Sequence, residues 1–203
     1  VARPFTPKSS KQMRALPSDA ETVLPIHAEG WLKTYGITKE ERVVYGIMYS
    51  KQKELLIFPD FDAKGQVIMW QGRYFGNNKD HPKYLTYGNK NHITICDDNK
   101  DPEGMPSFDM VCIVEDKVSA IKVGRLMPAV PLYGSTLSLE HATRLGKVFK
   151  LAYLWLDHDK YRESLKQARM MSFLFQHGIQ VKTKDLDPKA YDLRTIGETL
   201  DLI

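Results

Sequence analysis

Cysteine is nearly missing from this 203-residue chain: Cys96 and Cys112 stand alone, sixteen positions apart. Without a Cys-x-x-Cys pair the chain carries no zinc knuckle or ribbon of its own. Both cysteines sit in apolar runs, which points to buried free thiols and a reducing, cytosolic compartment. Long apolar runs are missing too. None approaches the ~20 residues that a spanning helix needs, so a membrane protein is excluded. The start, Val1-Ala2-Arg3-Pro4, lacks the apolar stretch of a secretory signal and an initiator Met, as expected of a fragment or a processed chain. Neither sign of charge dominates. With 29 basic against 25 acidic residues the net charge is +4, too mild to argue for nucleic acid by itself. Internal repeats and low-complexity tracts are absent as well. The chain is instead 42% hydrophobic and 10% aromatic, which excludes disorder throughout. At ~100–200 residues per domain the length allows one large domain or two small ones.

The first 18 residues contain Arg3, Lys8, Lys11 and Arg14, three prolines and no acid. They read as an irregular basic arm, either a solvated tail or a segment that meets a polyanion. From Asp19 the chain is ordered. A short helix is predicted over 27–35, stopped by Gly36. Strands are predicted at 43–49, at 54–59 with Pro59 as their end, and at 66–75, the last two joined by a turn at Asp62-Ala63-Lys64-Gly65. A further short strand is expected at 93–96. Residues 19–105 are therefore mostly antiparallel β, and an acidic, solvated loop at 97–103, followed by Gly104 and Pro106, marks a boundary.

From 106 to 203 the rhythm changes. Met110-Val111-Cys112-Ile113-Val114 is a continuous apolar run, as in a strand covered on both faces. Further strands are expected at 129–133, 151–156 and 179–181. Helices are expected to about Arg125, from a Ser138 cap to about Lys147 with Leu139, Ala142 and Leu145 on one face, and over 161–177. Such alternation predicts a parallel sheet with helices on both faces. The whole is a mixed α/β fold, an antiparallel subdomain followed by a Rossmann-like one.

Sites in open α/β sheets form beyond the carboxyl ends of the strands. Three of the four predicted strands here end in acids: Glu115-Asp116, then Asp157 and Asp159, then Asp185 and Asp187. The other ends in Gly134-Ser135. On an extended strand residues two apart share a face, so Asp157 and Asp159 are expected to share one ion. Carboxylates without His or Cys partners suit Mg²⁺ or Mn²⁺. Any single pair reads more readily as a helix cap or turn. Three at corresponding strand ends favour a metal site. His158 is expected to point away, packed or solvent-facing.

Val114-Glu115, Gly134-Ser135 and Leu156-Asp157-His158-Asp159 resemble the TOPRIM domain shared by topoisomerases, primases and some nucleases. Ile57-Phe58-Pro59, Gly65-Gln66-Val67-Ile68, Gln71-Gly72-Arg73 and Pro82-Lys83-Tyr84-Leu85 resemble the segment that precedes TOPRIM in DnaG-type primases. Together the two span about Trp31 to Asp187. The resemblance implies RNA primer synthesis on single-stranded DNA from ribonucleoside triphosphates, with two or more Mg²⁺ or Mn²⁺ ions. It implies Glu115 as the catalytic acid, binding a metal or taking a proton, and Asp157 and Asp159 as paired ligands. Asp187 matches the first acid of an Asp-Pro-Asp motif. Arg73, Lys83, Tyr84, Gly134, Ser135 and Lys160 fall to nucleotide or template binding.

Each of these has a plainer alternative. Arg73 and Lys83 read also as a solvated hairpin surface, and Gly134-Ser135 as an ordinary turn. The basic stripe of Arg162, Lys166 and Arg169 reads as a template track or as a solvated helix face. The sequence departs from the family with His158 for Gly, with Tyr161 and Arg162 for small residues, with Thr86 for Asn, and with Lys189 for the last acid of Asp-Pro-Asp. These departures point to a divergent phage, plasmid or prophage member. A zinc-binding module and a replicative helicase are implied partners outside this chain. Two other functions use the same residues: a TOPRIM nuclease, and a non-catalytic single-strand-binding module, which Lys189 favours.

Overall fold

The computed structural model describes residues 15–88, 92–100, 103 and 105–203. Most of the expected basic arm, at 1–14, lies outside the described residues, as do residues 101, 102 and 104 of the expected boundary loop.

The first half is an antiparallel meander of five strands with two short helices. In chain order these are β1 (Ala20–Glu21), α1 (Ile26–Thr34), α2 (Lys39–Val44), β2 (Met48–Ser50), β3 (Leu55–Phe61), β4 (Val67–Tyr74) and β5 (Tyr84–Gly88). Spatial order follows chain order. The turn between β3 and β4 forms as expected. Asp62 Oδ1 accepts from the Lys64 and Gln66 amides, and Gly65 takes φ +75°.

Three expectations fail here. Val43 and Val44 end a helix instead of starting a strand. Thr38 accepts from the Glu41 amide while the Glu41 carboxylate accepts from the Thr38 amide. This capping box nucleates α2 against the β preference of the two valines, which are left exposed. Pro59 does not end its strand. It pairs with Trp70 beyond the three residues that β2 covers, where β3 has a partner on one side. Residues 93–96 form no strand; Cys96 alone bridges Ala129.

The second half is a four-stranded parallel sheet of spatial order β7-β6-β8-β9. Its elements are β6 (Met110–Val114), α3 (Lys117–Gly124), β7 (Ala129–Pro131), α4 (Leu139–Leu145), β8 (Leu151–Trp155), α5 (Tyr161–Met171), β9 (Ile179–Val181) and α6 (Leu193–Thr199). Alternate residues of β6 and β8 enter two separate cores. Val111, Ile113, Ala152 and Leu154 pack on α4 and α5. Cys112, Val114, Tyr153 and Trp155 pack on α3 and α6. Ser138 caps α4 as expected, but Leu139 is exposed and His141 is buried in its place.

The second core crosses the midline of the chain. Leu32, Ile47, Leu56 and Phe58 of the first half join Val118, Ile121 and Trp155 of the second in one cluster. Burying each large side chain contributes about 1.5–3 kcal/mol. Two polar ties cross beside it. Glu41 receives a bidentate pair from Arg125, both contacts at 2.7 Å. Asp60 of β3, fully buried, accepts from Lys117 Nζ at 2.6 Å and from the Tyr133 hydroxyl at 2.5 Å. The expected acidic loop is also more than solvated charge. Asp97 is buried, accepting from the Asn99 and Ser107 amides and the Ser107 hydroxyl.

Candidate active site

The carboxyl ends of β6 and β8 and the loop after β9 open on a cleft of about 470 Å³ closed from the other side by β4 and β5. The parallel sheet supplies an acidic wall of Glu115, Asp116, Asp157 and Asp187. The antiparallel sheet supplies Gln71, Arg73, Lys83, Tyr84 and Thr86.

The acids differ in what holds them. Asp116 caps α3, accepting from the Ser119 amide at 3.0 Å. Glu115 has one carboxylate oxygen, Oε1, buried with no hydrogen-bond partner. Burial, with the charges of Asp187, Asp116 and Asp159, raises its pKa against a backbone hydrogen bond at Asp157 that lowers it. Asp157 is pushed up to about 8, first by burial and then by its hydrogen bond to Asp187 and the charge of Glu115. Asp187 shifts down. Burial opposes this, but the Asp157 hydrogen bond and the Lys189 ammonium outweigh it. The two carboxyls titrate as a pair, with Asp157 the member pushed up and Asp187 the member held down.

A stability prediction follows. In ion-free solution native Asp157 keeps a proton that the unfolded chain gives up near the ordinary carboxylate pKa. Stability should fall as pH rises from that range toward 8. Thermal melts in chelator at pH 5, 6.5 and 8 should show the fall, and Asp157→Asn should flatten it. Equal slopes in the two proteins would refute the assignment.

Asp159 does not join the cleft. The strand ends at Trp155, and 158–160 form a 3₁₀ turn, so the two-residue alternation of an extended chain no longer applies. The Asp159 side chain is 71% exposed and pairs with Lys160 at 2.9 Å, and neither residue lines the cleft. Asp185 is also exposed. His158 is exposed, as expected.

On the opposite wall Arg73 is no solvated hairpin residue. Its guanidinium lies 4.3 Å from the centroid of Trp31 and 5.3 Å from those of Phe75 and Tyr84, and it donates to the Tyr84 hydroxyl at 2.8 Å. Its Nε is buried without a partner. Lys83 is exposed and borders the same space. Trp70 packs on Tyr87 with ring centroids 4.4 Å apart, in a hairpin cluster away from the cleft. Arg162, Lys166 and Arg169 lie along α5 on a different, shallow surface.

Gly134 borders the cleft with open space where a side chain would stand. Ser135 does not border it, and its carbonyl accepts from Gln167 at 2.9 Å. Tyr133, just before, has φ +54°, a left-handed conformation uncommon for a bulky residue, and its hydroxyl on buried Asp60 fixes it there.

Tyr35, Tyr133, Asp60 and Lys117 went unread in the sequence. A signal existed for two of them: Asp60 follows Phe58-Pro59 inside an apolar run, and Lys117 opens a helix buried along its whole length. Interior charges of that kind come in pairs.

The structure gives mixed support for a metal site. Among the described residues no group of three or more His, Cys, Asp or Glu side chains forms a ready-made ion cage. Yet the unpartnered Glu115 Oε1 and the crowded Asp157–Asp187 pair are oxygen donors that a hard cation fits.

An antiparallel sheet of five strands set against a parallel sheet of four is the fold of DnaG-type primase catalytic cores. A DNA primase domain from Pseudomonas aeruginosa matches with a TM-score of 0.69 and 17% identity, over 86% of this chain and 71% of that one. The primase fragment of the bacteriophage T7 primase-helicase protein matches with a TM-score of 0.61 and 15% identity, over 98% and 81%. The Aquifex aeolicus primase, comprising zinc-binding and RNA polymerase domains, matches with a TM-score of 0.60 and 19% identity, over 88% of this chain. This chain spans about half of that protein's length, 54%. No family model matches the chain, and no curated protein does.

Proposed function

We propose that the chain is the catalytic core of a primase, joining ribonucleotides into a short RNA on a single-stranded DNA template. The observation that carries this reading is the cleft itself. Carboxylates from the ends of two strands and the loop after a third face an arginine and a lysine from the opposing half across one opening. A nucleoside triphosphate needs both walls, cations for its phosphates and acids for the ions that accompany it.

Glu115, Asp157 and Asp187 would hold Mg²⁺ or Mn²⁺. When bound, such an ion neutralises phosphate charge and makes the attacking 3′-hydroxyl more acidic. Glu115 Oε1, buried without a hydrogen-bond partner, would be a base for that proton. Arg73 offers phosphate a guanidinium whose rotamers are already restricted by three rings, so little entropy is lost when it binds. Lys83 adds a mobile point charge. The bare Cα of Gly134 leaves room for a phosphate to approach the backbone. These contacts position nucleic acid without reading its sequence.

A DnaG primase catalytic domain of this fold has been solved bound to single-stranded DNA. The T7 and Aquifex proteins are built with a helicase and a zinc-binding domain respectively. A helicase and a zinc-binding module are accordingly the partners proposed here, and the cytoplasm the compartment. No helix among the described residues is long and apolar enough to cross a membrane.

The test is incorporation of labelled ribonucleotides on single-stranded DNA with Mg²⁺, and separately with Mn²⁺, alongside a supercoiled plasmid scored for cutting. Template-dependent oligonucleotides are expected from the wild type, reduced at least ~100-fold in Asp157→Ala. Plasmid cutting without incorporation would replace this reading with the nuclease. Single-strand binding that ignores metal and survives Asp157→Ala would replace it with the binding module.

A further inference from the structure

Lys189 stands inside the acidic wall. Its side chain is nine-tenths buried, and its ammonium pairs with Asp116 at 2.6 Å and with Asp187. The residue is held elsewhere as well. Lys122 of α3 donates to its backbone carbonyl at 2.8 Å, and its ammonium lies 5.9 Å from the centroid of the Tyr35 ring. Because Asp116 caps the same helix, α3 fixes Lys189 at both its backbone and its ammonium. A free surface lysine would be mobile and hydrated. This one is a cation at a set position, with two carboxylates of the acidic wall, Asp116 and Asp187, already turned toward it.

We infer that Lys189 is a tethered substitute for one divalent ion, so that the cleft binds one metal ion fewer than it would with a carboxylate at this position. The inference rests on the metal-binding reading given above. An ammonium between Asp116 and Asp187 occupies the space an ion would take and repels a second cation nearby. Asp157, Asp187 and Glu115 Oε1 remain for the ion that does bind. Lys189 is thus a positioning residue. It keeps Asp187 oriented and its charge balanced when no metal is present.

Direct counting of bound Mn²⁺ by electron paramagnetic resonance titration of the whole chain, without nucleotide, tests this. Lys189→Asp should bind one more Mn²⁺ than the wild type. Lys189→Arg, which keeps the cation, should bind the wild-type number. Lys189→Met keeps the stem against Tyr35 and removes the charge, and should tighten Mn²⁺ binding about tenfold or more. Melting temperatures recorded in parallel show which variants are folded, and Lys189→Met keeps the test decisive if Lys189→Asp is not. An unchanged count in folded Lys189→Asp, or unchanged affinity in Lys189→Met, would overturn the inference while leaving the primase reading in place. No Mn²⁺ bound by any of the four proteins would overturn both.

Discussion

Asp60→Ala should lower the unfolding free energy by about 3–5 kcal/mol, because it strands a buried ammonium. Asp60 and Lys117 are respectively 0% and 2% exposed and meet at 2.6 Å. Burial alone would drive the proton off Lys117, but the Asp60 carboxylate beside it holds the pKa above the ordinary value. Without the carboxylate, Lys117 must either stay charged in an apolar interior or give up its proton. Either route weakens the native state. The Tyr133 hydroxyl loses its partner in the same change, and with it the restraint on a left-handed residue beside Gly134. Tyr133→Phe separates the two effects, since it removes one hydrogen bond worth about 0.5–1.5 kcal/mol and leaves the ion pair. Urea unfolding followed by circular dichroism measures both. A loss below ~1 kcal/mol for Asp60→Ala would mean that water reaches Lys117 and that the pair is not a structural tie.

Glu115→Gln should reduce the proposed primer synthesis by about 10²–10⁴-fold while leaving the fold as stable or more so. The substitution keeps the shape of the side chain. It removes a charge that burial and three neighbouring carboxylates disfavour, and it replaces an unpartnered oxygen. Relief of that repulsion contributes on the order of 0.5–2 kcal/mol. Opposite signs for activity and stability are what a functional carboxylate predicts; a purely structural one would lose both. Single-turnover incorporation and a thermal melt on the same sample decide the matter. Activity within tenfold of wild type would remove Glu115 from the chemistry.

What the sequence made visible followed from periodicity. The β6 run, the three βα alternations and the strand-end acids Glu115, Asp157 and Asp187 could be read because each reflects a local rule. A strand covered on both faces is apolar throughout, and a strand end in an open sheet meets the site. Where the reading failed, a second local rule competed with the first. The capping box at Thr38–Glu41 overrode the β preference of Val43 and Val44. A 3₁₀ turn at 158–160 redirected Asp159, so a spacing argument that holds for a strand did not apply past its end at Trp155. The remaining misses were long-range. Asp60 and Lys117 are 57 residues apart, and nothing at either position specifies its partner. Arg73 was singled out, but the aromatic enclosure that restrains it is assembled from α1, β4 and β5 and exists only after folding.

The hydrophobic cluster that runs from Leu32 and Phe58 to Ile121 and Trp155 bears on how the molecule comes apart. The two sheets differ in topology, and a boundary near residue 105 is easy to draw between them. One core nevertheless runs through both. Separating the halves would expose the inner face of each, break the Glu41–Arg125 fork and strand Lys117. The seam in topology is therefore not a seam in cooperativity. Heat or denaturant should find a single melting unit, in which the acidic wall and the basic wall are lost together.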